Sequence, residues 1–313
     1  MKIAVLGAGA MGSLFGGLLA ESGQAVTLID VNDAHVEAVR QHGLRLDTDA
    51  GERWLPSLRA CRPEQAEGAP DLLLVFTKTL HTVAALEAVA GIIGPDTRVL
   101  TLQNGLGNVE KLQHHVPLDR ILVGVTTWPA DYAGPGYVRS HGAGMVRIMA
   151  ADSRGDADAR DVAQALDEAG LNCMVDPDAW KAIWEKVAFN AALNGICAVT
   201  GCSVDQIGAI PGGMDLAFDV VEEVLIVAKA EGVDADVDHC RHTLGQAVAH
   251  HIGHKPSMLQ DMLAGRPTEI DAIHGAVVEK AHQHRLAVPR TETLLHLVRL
   301  AEARDRSSRE AVR

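Results

Sequence analysis

Apolar and polar residues alternate with two different periods along this chain, and the change falls near residue 177. Before that point, short apolar runs of strand length alternate with helical segments, and the clearest runs are residues 2–6, 71–78, 97–103 and 120–127. Strands that are apolar on both faces, with helices between them, form a parallel sheet covered on both sides. From residue 178 onward the period is helical. The pattern predicts an α/β fold, with a parallel-sheet domain at residues 1–177 and an all-α domain at residues 178–313.

The end of the first domain has a less uniform pattern. We expect residues 138–150 (VRSHGAGMVRIMA) to form a β-hairpin and residues 158–170 to form a peripheral helix. A final short strand is expected in NCMVDPD, residues 172–178.

The first 30 residues contain glycines at positions 7, 9 and 12, in the spacing GxGxxG. In a dinucleotide-binding turn the first glycine makes the turn, the second lets the backbone approach a pyrophosphate, and the third lets the helix pack on the strand. The turn here lies between an apolar strand and a helical segment, which is the context that the motif requires. The alternative is a glycine turn used only for packing. We predict a Rossmann-type domain whose cofactor-binding turn is Gly7, Ala8, Gly9, Ala10, Met11 and Gly12.

Asp30 follows the second predicted strand, 18 positions after Gly12. A carboxylate at this position accepts hydrogen bonds from the ribose hydroxyls of NAD and repels the 2′-phosphate of NADP. The next four residues, Val31 to Ala34, include no Arg or Lys that could bind a phosphate. We therefore expect NAD to be preferred to NADP.

Polar residues also follow the other strands of the predicted sheet. Lys78, Asn104, Thr126 and Thr127 each stand where an apolar run ends. Ligands of open α/β sheets bind outside the carboxyl ends of the strands. These side chains are expected near the glycine turn.

The segment AWKAIWEKVAFNAALNGICAVTG (179–201) predicts a helix that is apolar on nearly all sides, yet Lys186, Asn190 and Asn194 share one face of it. Burying an unpaired amide costs about 1 to 3 kcal/mol, and an unpaired ammonium costs more. Two explanations remain: the three groups bond to other protein groups, or they line a polar site. Beside a dinucleotide, an ammonium could neutralise the oxygen of a carbonyl that receives a hydride and deliver its proton.

Composition excludes several classes of partner. The net charge of −13 and the lack of a Lys/Arg run argue against nucleic acid and anionic membranes. No apolar run of about 18 residues and no signal-type leader is present, so we expect a cytoplasmic protein. Five cysteines without a CxxC pair are expected to be reduced thiols. His250 and His254 have zinc-like spacing but lack the glutamate of HExxH, so no metal site is predicted.

Six stretches together give a specific resemblance: GAGAMGSLFGGLLA, VFTKTLHT, TLQNGLGN, GVTTWPADYAGPGYV, WEKVAFNAALNGICAVTG and PSMLQDMLAGRPTEIDAIHG. Along essentially its full length the chain resembles the ketopantoate reductase (2-dehydropantoate 2-reductase) family. That family couples a Rossmann domain to a helical domain and reduces a 2-oxo acid at the cleft between them.

The resemblance implies roles for individual residues. It makes Lys186 the proton donor and Asn190 and Asn194 substrate ligands, and it places Ser257, with residues 258–260, at the substrate carboxylate. It implies that Asn104 touches both cofactor and substrate, that Lys78 and Ala130 touch the cofactor, and that Glu269 acts on the nicotinamide side. The residues of TEID themselves suggest a capping box with Thr268 as N-cap and Asp271 at N3, which puts Glu269 in a first helical turn.

Asp30 departs from the family, which usually prefers NADP and has a basic or neutral polar residue there. The function predicted is therefore NAD(H)-preferring reduction of a 2-oxo acid to a 2-hydroxy acid. The alternative is an NAD-dependent dehydrogenase that oxidises a different small hydroxy acid, in the catabolic direction or of β-hydroxyacid dehydrogenase type. A protein that senses NAD(H) without catalysis is a third hypothesis.

We also expect a homodimer. Glu222 and Glu223 indicate the outer face of an amphipathic helix whose apolar side could serve an intersubunit contact.

Overall fold

The computed structural model describes residues 1–152 and 156–310. The chain forms two compact units. The first comprises residues 1–103 and 108–179, and the second comprises residues 104–107 and the chain from Trp180 onward. Among the described helices none is long and apolar enough to cross a membrane.

All strands of the described chain lie in the first unit. They are β1 Lys2–Leu6, β2 Ala25–Ile29, β3 Leu44–Thr48, β4 Gly51–Leu55, β5 Arg59–Cys61, β6 Leu72–Val75, β7 Arg98–Thr101, β8 Ile121–Thr126, β9 Asp131–Gly134, β10 Tyr137–Ser140, β11 Val146–Ala150 and β12 Cys173–Val175. The helices that cover them are α1 Ala10–Glu21, α2 Asp33–His42, α3 Thr82–Ala88, α4 Asn108–Gln113 and α5 Asp156–Glu168.

Eight strands form the main sheet, in the order β12-β11-β8-β7-β6-β1-β2-β5. All neighbours in it are parallel except β8 and β11, which are antiparallel. The apolar runs became its central strands because both faces are covered: every residue of β6 and β8 is buried. The α/β fold class is confirmed, although the sheet is mixed at one edge.

The hairpin expected at residues 138–150 is wrong. β10 pairs with β9 and β3 in a separate four-stranded sheet, whereas β11 pairs with β8 and β12 in the main sheet. The true hairpin joins β9 to β10. Both runs have strand-like composition, but composition does not specify the partner of a strand.

The order of the main sheet reverses beside β1, because β2 and β5 lie on one side of it and β6, β7 and β8 on the other. Such a reversal leaves a crevice at the carboxyl ends of the strands, where ligands of this fold class bind. The glycine turn follows β1 and therefore stands at this reversal.

The second unit is helical. Its helices are α6 Ala179–Thr200, α7 Val204–Ala209, α8 Gly213–Ala230, α9 Val237–His250, α10 Ser257–Ala264, α11 Ala276–Gln283 and α12 Pro289–Glu310, and a π-helical turn, Asp271–Gly275, leads into α11. α6 runs through apolar surroundings, with Val187, Ala188, Ala191 and Ala192 almost inaccessible. The strongly apolar helix predicted from the sequence is present.

The apolar side of α8 is not available for another subunit. Val220, Val221 and Val224 are fully buried within the unit. Glu223 accepts hydrogen bonds from the backbone N–H groups of Arg290 and Thr291 at the start of α12, at 3.0 and 2.8 Å. The intersubunit role suggested for this face is wrong, because the unit's own helices cover it.

Candidate active site

The glycine turn has the shape that a dinucleotide pyrophosphate requires. Gly7 has a φ of +94°, and a Cβ on it would lie 2.6 Å from the backbone nitrogen of Thr77. A Cβ on Gly12 would lie 2.0 Å from the carbonyl oxygen of Gly7, so helix and strand touch there. A Cβ on Gly9, the N-cap of α1, would meet nothing within 4 Å. The space beside Gly9, together with the unpaired N–H groups of a first helical turn, fits a pyrophosphate.

Asp30 is held against this turn. Its Oδ2 accepts the backbone N–H of Ala8 at 2.7 Å, and its Oδ1 accepts that of Asn32 at 2.8 Å. Each carboxylate oxygen can accept a second hydrogen bond, so both remain able to bind ribose hydroxyls. The residues present therefore fit the adenosine end of a dinucleotide.

His35 is a part of this region that sequence reasoning missed. Its Nδ1 accepts the backbone N–H of Gly136 at 3.0 Å, and its Nε2 lies 3.2 Å from Ser13 Oγ, which itself donates to the Ala8 carbonyl. These contacts require a neutral imidazole protonated at Nε2. Burial lowers the pKa of His35 in agreement, while Asp30 opposes the shift. His35 thus fixes the turn between β9 and β10 to the start of α1, a link between segments that spacing along the chain cannot show.

The other cofactor residues expected in the first unit lie at the same edge of the main sheet. Lys78 follows β6 and is partly exposed, and Ala130 lies between β8 and β9 and is also partly exposed. The two threonines are used internally: Thr126 Oγ1 accepts the backbone N–H of Trp128, and Thr127 Oγ1 that of Met145.

In the second unit, α6 places Lys186, Asn190 and Asn194 on one face, as predicted. Lys186 and Asn190 are partly exposed, and Asn194 is 4% exposed. Desolvation lowers the pKa of Lys186 from 10.5 to about 8, while the charge of Glu269 opposes the shift. The ammonium form is thus close to its proton-releasing range at neutral pH and retains a carboxylate partner.

Glu269 is tied to the loop after β7. Asn104 Nδ2 donates to Glu269 Oε2 at 3.3 Å, and Leu106 N–H donates to the Ala272 carbonyl at 2.9 Å. Residues 104–107 belong to the second unit for this reason. The structure therefore brings together Asn104, Glu269 and Lys186, which lie far apart in the sequence.

The predicted capping box in TEID does not form. Thr268 Oγ1 does accept the N–H of Ile270 at 3.2 Å, as an N-cap side chain would. Asp271, however, pairs with Arg299, and the N–H of Thr268 donates to Glu302 instead at 2.7 Å. Two residues of α12 displace the local partners, and the chain then forms the π-helical turn Asp271–Gly275.

Ser257 is the first residue of α10 and is exposed. Its neighbours Met258 and Leu259 are each 2% exposed and belong to the core. Gln260 donates to the Lys255 carbonyl at 2.8 Å. Ser257 and Gln260 are the two exposed polar residues of these four.

His274, in the π-helical turn, is a second residue that the sequence did not single out. It is fully buried, and a Cβ on Gly195 of α6 would lie 2.5 Å from its Nε2. Burial lowers its pKa to about 4, against a smaller opposing effect of the Ala191 backbone. The ring is therefore neutral and packs directly against Gly195. π-helical turns are frequent at functional sites.

The thiols and the described histidines show no metal-binding cluster. All five cysteines are free. Over residues 1–152 and 156–310 no group of three or more His, Cys, Asp and Glu side chains is arranged to hold a metal ion.

Known proteins resemble this chain over nearly its whole length. A model of the family described as ketopantoate reductase PanE/ApbA matches residues 3–153, and the model of its C-terminal domain matches residues 178–302. The 2-dehydropantoate 2-reductase of Halobacterium salinarum is 37% identical over 305 residues, which cover 96% of this chain and 99% of that protein. That of Streptococcus pyogenes serotype M3 is 32% identical over 304 residues, covering 97% and 98%.

A solved structure is equally similar. D-mandelate dehydrogenase with NADH and anilino(oxo)acetate superimposes with a TM-score of 0.93 at 33% identity, covering 98% of this chain and all of that one. The fold and these relatives together define an NAD(P)-dependent oxidoreductase acting on CH–OH groups. Within that class, the chain belongs to the ketopantoate reductase PanE/ApbA family.

Proposed function

We propose that this protein reduces a small 2-oxo acid to the corresponding 2-hydroxy acid with NADH, and that ketopantoate is the first candidate substrate. The observation that carries the proposal is the stripe of Lys186, Asn190 and Asn194 on α6, with the pKa of Lys186 lowered to about 8. A protein that only sensed NAD(H) would have no need of a desolvated ammonium beside two amides.

The proposed chemistry assigns each group one task. The reduced nicotinamide, when bound, supplies a hydride to the carbonyl carbon. Lys186 donates its proton to the carbonyl oxygen as negative charge develops there, a contribution of roughly 10²- to 10⁴-fold. Asn190 and Asn194 donate hydrogen bonds to the substrate, and Ser257 to its carboxylate. Glu269, held by Asn104, keeps Lys186 charged before the reaction.

On the cofactor side, the glycine turn, Asp30, Lys78 and Ala130 are proposed to hold the dinucleotide. The preference for NADH rests on Asp30, whose two oxygens are fixed beside Ala8 and Asn32. A fixed carboxylate repels the 2′-phosphate of NADP.

A second candidate is a dehydrogenase for a different 2-hydroxy acid, as in the D-mandelate dehydrogenase that this chain resembles over its whole length. Steady-state kinetics separate the two. Ketopantoate, phenylglyoxylate and other 2-oxo acids should be compared with NADH and with NADPH, and the hydroxy acids with NAD⁺. We expect the highest kcat/KM for ketopantoate with NADH. A higher value for phenylglyoxylate would select the second candidate, and a higher value with NADPH would refute the role of Asp30.

Removing the proton donor tests the mechanism directly. Lys186→Ala should lower kcat at least about 100-fold, while the Kd for NADH, measured by fluorescence titration, stays within about two-fold. Lys181→Ala is the matched control, because Lys181 is an exposed lysine on the same helix. Turnover of Lys186→Ala equal to that of the control would refute the assignment.

The same lysine predicts an alkaline limb in the pH profile of reduction. Only the ammonium form can give a proton, so kcat/KM should be flat below pH 7 and fall above about 8. Arginine keeps its proton throughout this range. The limb should therefore be absent from the residual activity of Lys186→Arg, and its persistence there would assign it to another group.

A further inference from the structure

A guanidinium stands beside the cofactor carboxylate, supplied by a distant part of the chain. β5 ends at Cys61, whose carbonyl accepts the N–H of Asp30 at 3.1 Å, so the ends of β2 and β5 are joined. Arg62 follows at once, and its Nη1 donates to the Val31 carbonyl at 2.9 Å. The sequence after Asp30 offers no basic residue, but the fold brings one from 31 positions beyond Val31.

Two carboxylates pair with the guanidinium of Arg62. Its Nη1 lies 2.6 Å from Asp33 Oδ1, and its Nε lies 2.7 Å from Glu64 Oε1. The side chain of Arg62 is 33% exposed, whereas those of Asp33 and Glu64 are 82% and 63% exposed. Ion pairs this exposed are individually weak. Small changes to the two carboxylates can therefore release the guanidinium without disturbing the fold.

Guanidinium groups are the usual ligands of a 2′-phosphate in enzymes that use NADP, because their fork of N–H donors matches phosphate oxygens. Here the guanidinium occupies the appropriate edge of the sheet, but its donors point at carboxylates. The region therefore contains an arginine of the kind that binds the 2′-phosphate of NADP, but its charge is paired with carboxylates.

We propose that Arg62 is a specificity residue for the adenosine end of the cofactor: Asp33 and Glu64 occupy its guanidinium and thereby exclude the 2′-phosphate, together with Asp30. This inference deepens the NADH preference of the proposed function and rests on it. It predicts that discrimination against NADP depends on three carboxylates, and that removing the charges of Asp33 and Glu64 converts Arg62 into a phosphate ligand.

Binding of nucleotide fragments tests the proposal without any turnover. Isothermal titration of the full chain with 5′-AMP and with 2′,5′-ADP compares ligands that differ by the 2′-phosphate alone. In the variant D33N/E64Q, which keeps the shape of both side chains, affinity for 2′,5′-ADP should rise about ten-fold, the gain of one charge-assisted contact. Affinity for 5′-AMP should change by less than about two-fold. Adding R62A should abolish the gain.

The matched control is E21Q/E52Q, which removes two carboxylates paired with other arginines, Arg53 and Arg45. It raises the net charge equally but away from the cofactor edge. A ten-fold gain in this control, a gain that survives R62A, or no gain in D33N/E64Q would each overturn the proposal. In the background D30N, the variant D33N/E64Q should bind 2′,5′-ADP more tightly than 5′-AMP, and R62A should reverse that order.

Failure of the proposed function can be distinguished from failure of the proposal for Arg62. If no 2-oxo acid is reduced, the fragment titrations still report on Arg62. If the wild type binds 2′,5′-ADP more tightly than 5′-AMP, the preference for NADH is refuted regardless of the variants.

Discussion

Burial lowers the pKa of both Lys186 and His274, yet the two side chains have different charges at neutral pH. The pKa of Lys186 falls only to about 8 because Glu269 stabilises the ammonium, so most of the population stays charged at pH 7. The pKa of His274 falls to about 4, so its ring is neutral. The charged group can give a proton, while the neutral ring packs against Gly195.

His274 should make the folded state sensitive to acid. Its pKa is lower in the folded chain than the 6.5 of an unfolded one, so the unfolded state binds its proton first and stability falls as the pH drops from 6.5 to 4. The loss for this one buried group is about 3 kcal/mol. Urea unfolding of wild type and His274→Asn between pH 7.5 and 4 should show a steeper decline for the wild type. Parallel curves would mean that the ring is protonated as easily as in water.

At this scale, spacing along the chain is informative where the relevant neighbours are local. Lys186, Asn190 and Asn194 were found because helical spacing alone puts them on one face. Arg62 and His274 were not singled out because their contacts are with segments remote in sequence, the end of β2 for one and α6 for the other.

At the scale of elements, the turn between β1 and α1 combines two glycines with different requirements. Gly12 is enclosed by the Gly7 carbonyl, whereas Gly9 borders open space. Replacement by alanine should therefore affect a different property at each position: the stability of the fold at Gly12 and the binding of the cofactor at Gly9.

Gly12→Ala should lower the unfolding free energy by several kcal/mol, because a Cβ 2.0 Å from a carbonyl oxygen forces helix and strand apart. Gly9→Ala should unfold like the wild type but bind NADH at least about ten-fold more weakly, since its methyl group enters the space proposed for the pyrophosphate. Gly91→Ala, whose Cβ also meets nothing within 4 Å, is the control for both measurements. If Gly9→Ala binds NADH as tightly as the wild type does, the placement of the pyrophosphate at this turn is refuted.

Elements were predicted more reliably than their partners. The apolar runs that became β1, β6, β7 and β8 were recognised because burial on both faces leaves a plain sequence pattern. The pairing of β10 and β11 in different sheets, and the loss of the TEID capping box to Arg299 and Glu302, follow from tertiary contacts that no local pattern contains.

At the scale of the whole molecule, binding of the cofactor should raise the unfolding free energy of the chain. A ligand that binds only the folded chain adds about 2.7 kcal/mol to the unfolding free energy at 100 times its Kd. NADH should therefore raise the thermal midpoint by about 2 °C or more, and NADPH at the same concentration should raise it less. A shift with NADPH as large as that with NADH would contradict the preference assigned to Asp30.

The homodimer also stays a prediction, and analytical ultracentrifugation can measure the oligomeric state.

The helical half of this protein is not encoded by one continuous stretch of sequence. Residues 104–107, with the Asn104 side chain on Glu269 and the Leu106 amide on Ala272, reach it from the middle of the other half. A gene cut at residue 179 would therefore yield a carboxyl-terminal fragment that lacks four residues of the helical unit. One of them is Asn104, whose side-chain amide holds Glu269, a proposed catalytic carboxylate. Domain exchange between relatives would succeed only if this tetrapeptide and the π-helical turn were transplanted as a pair.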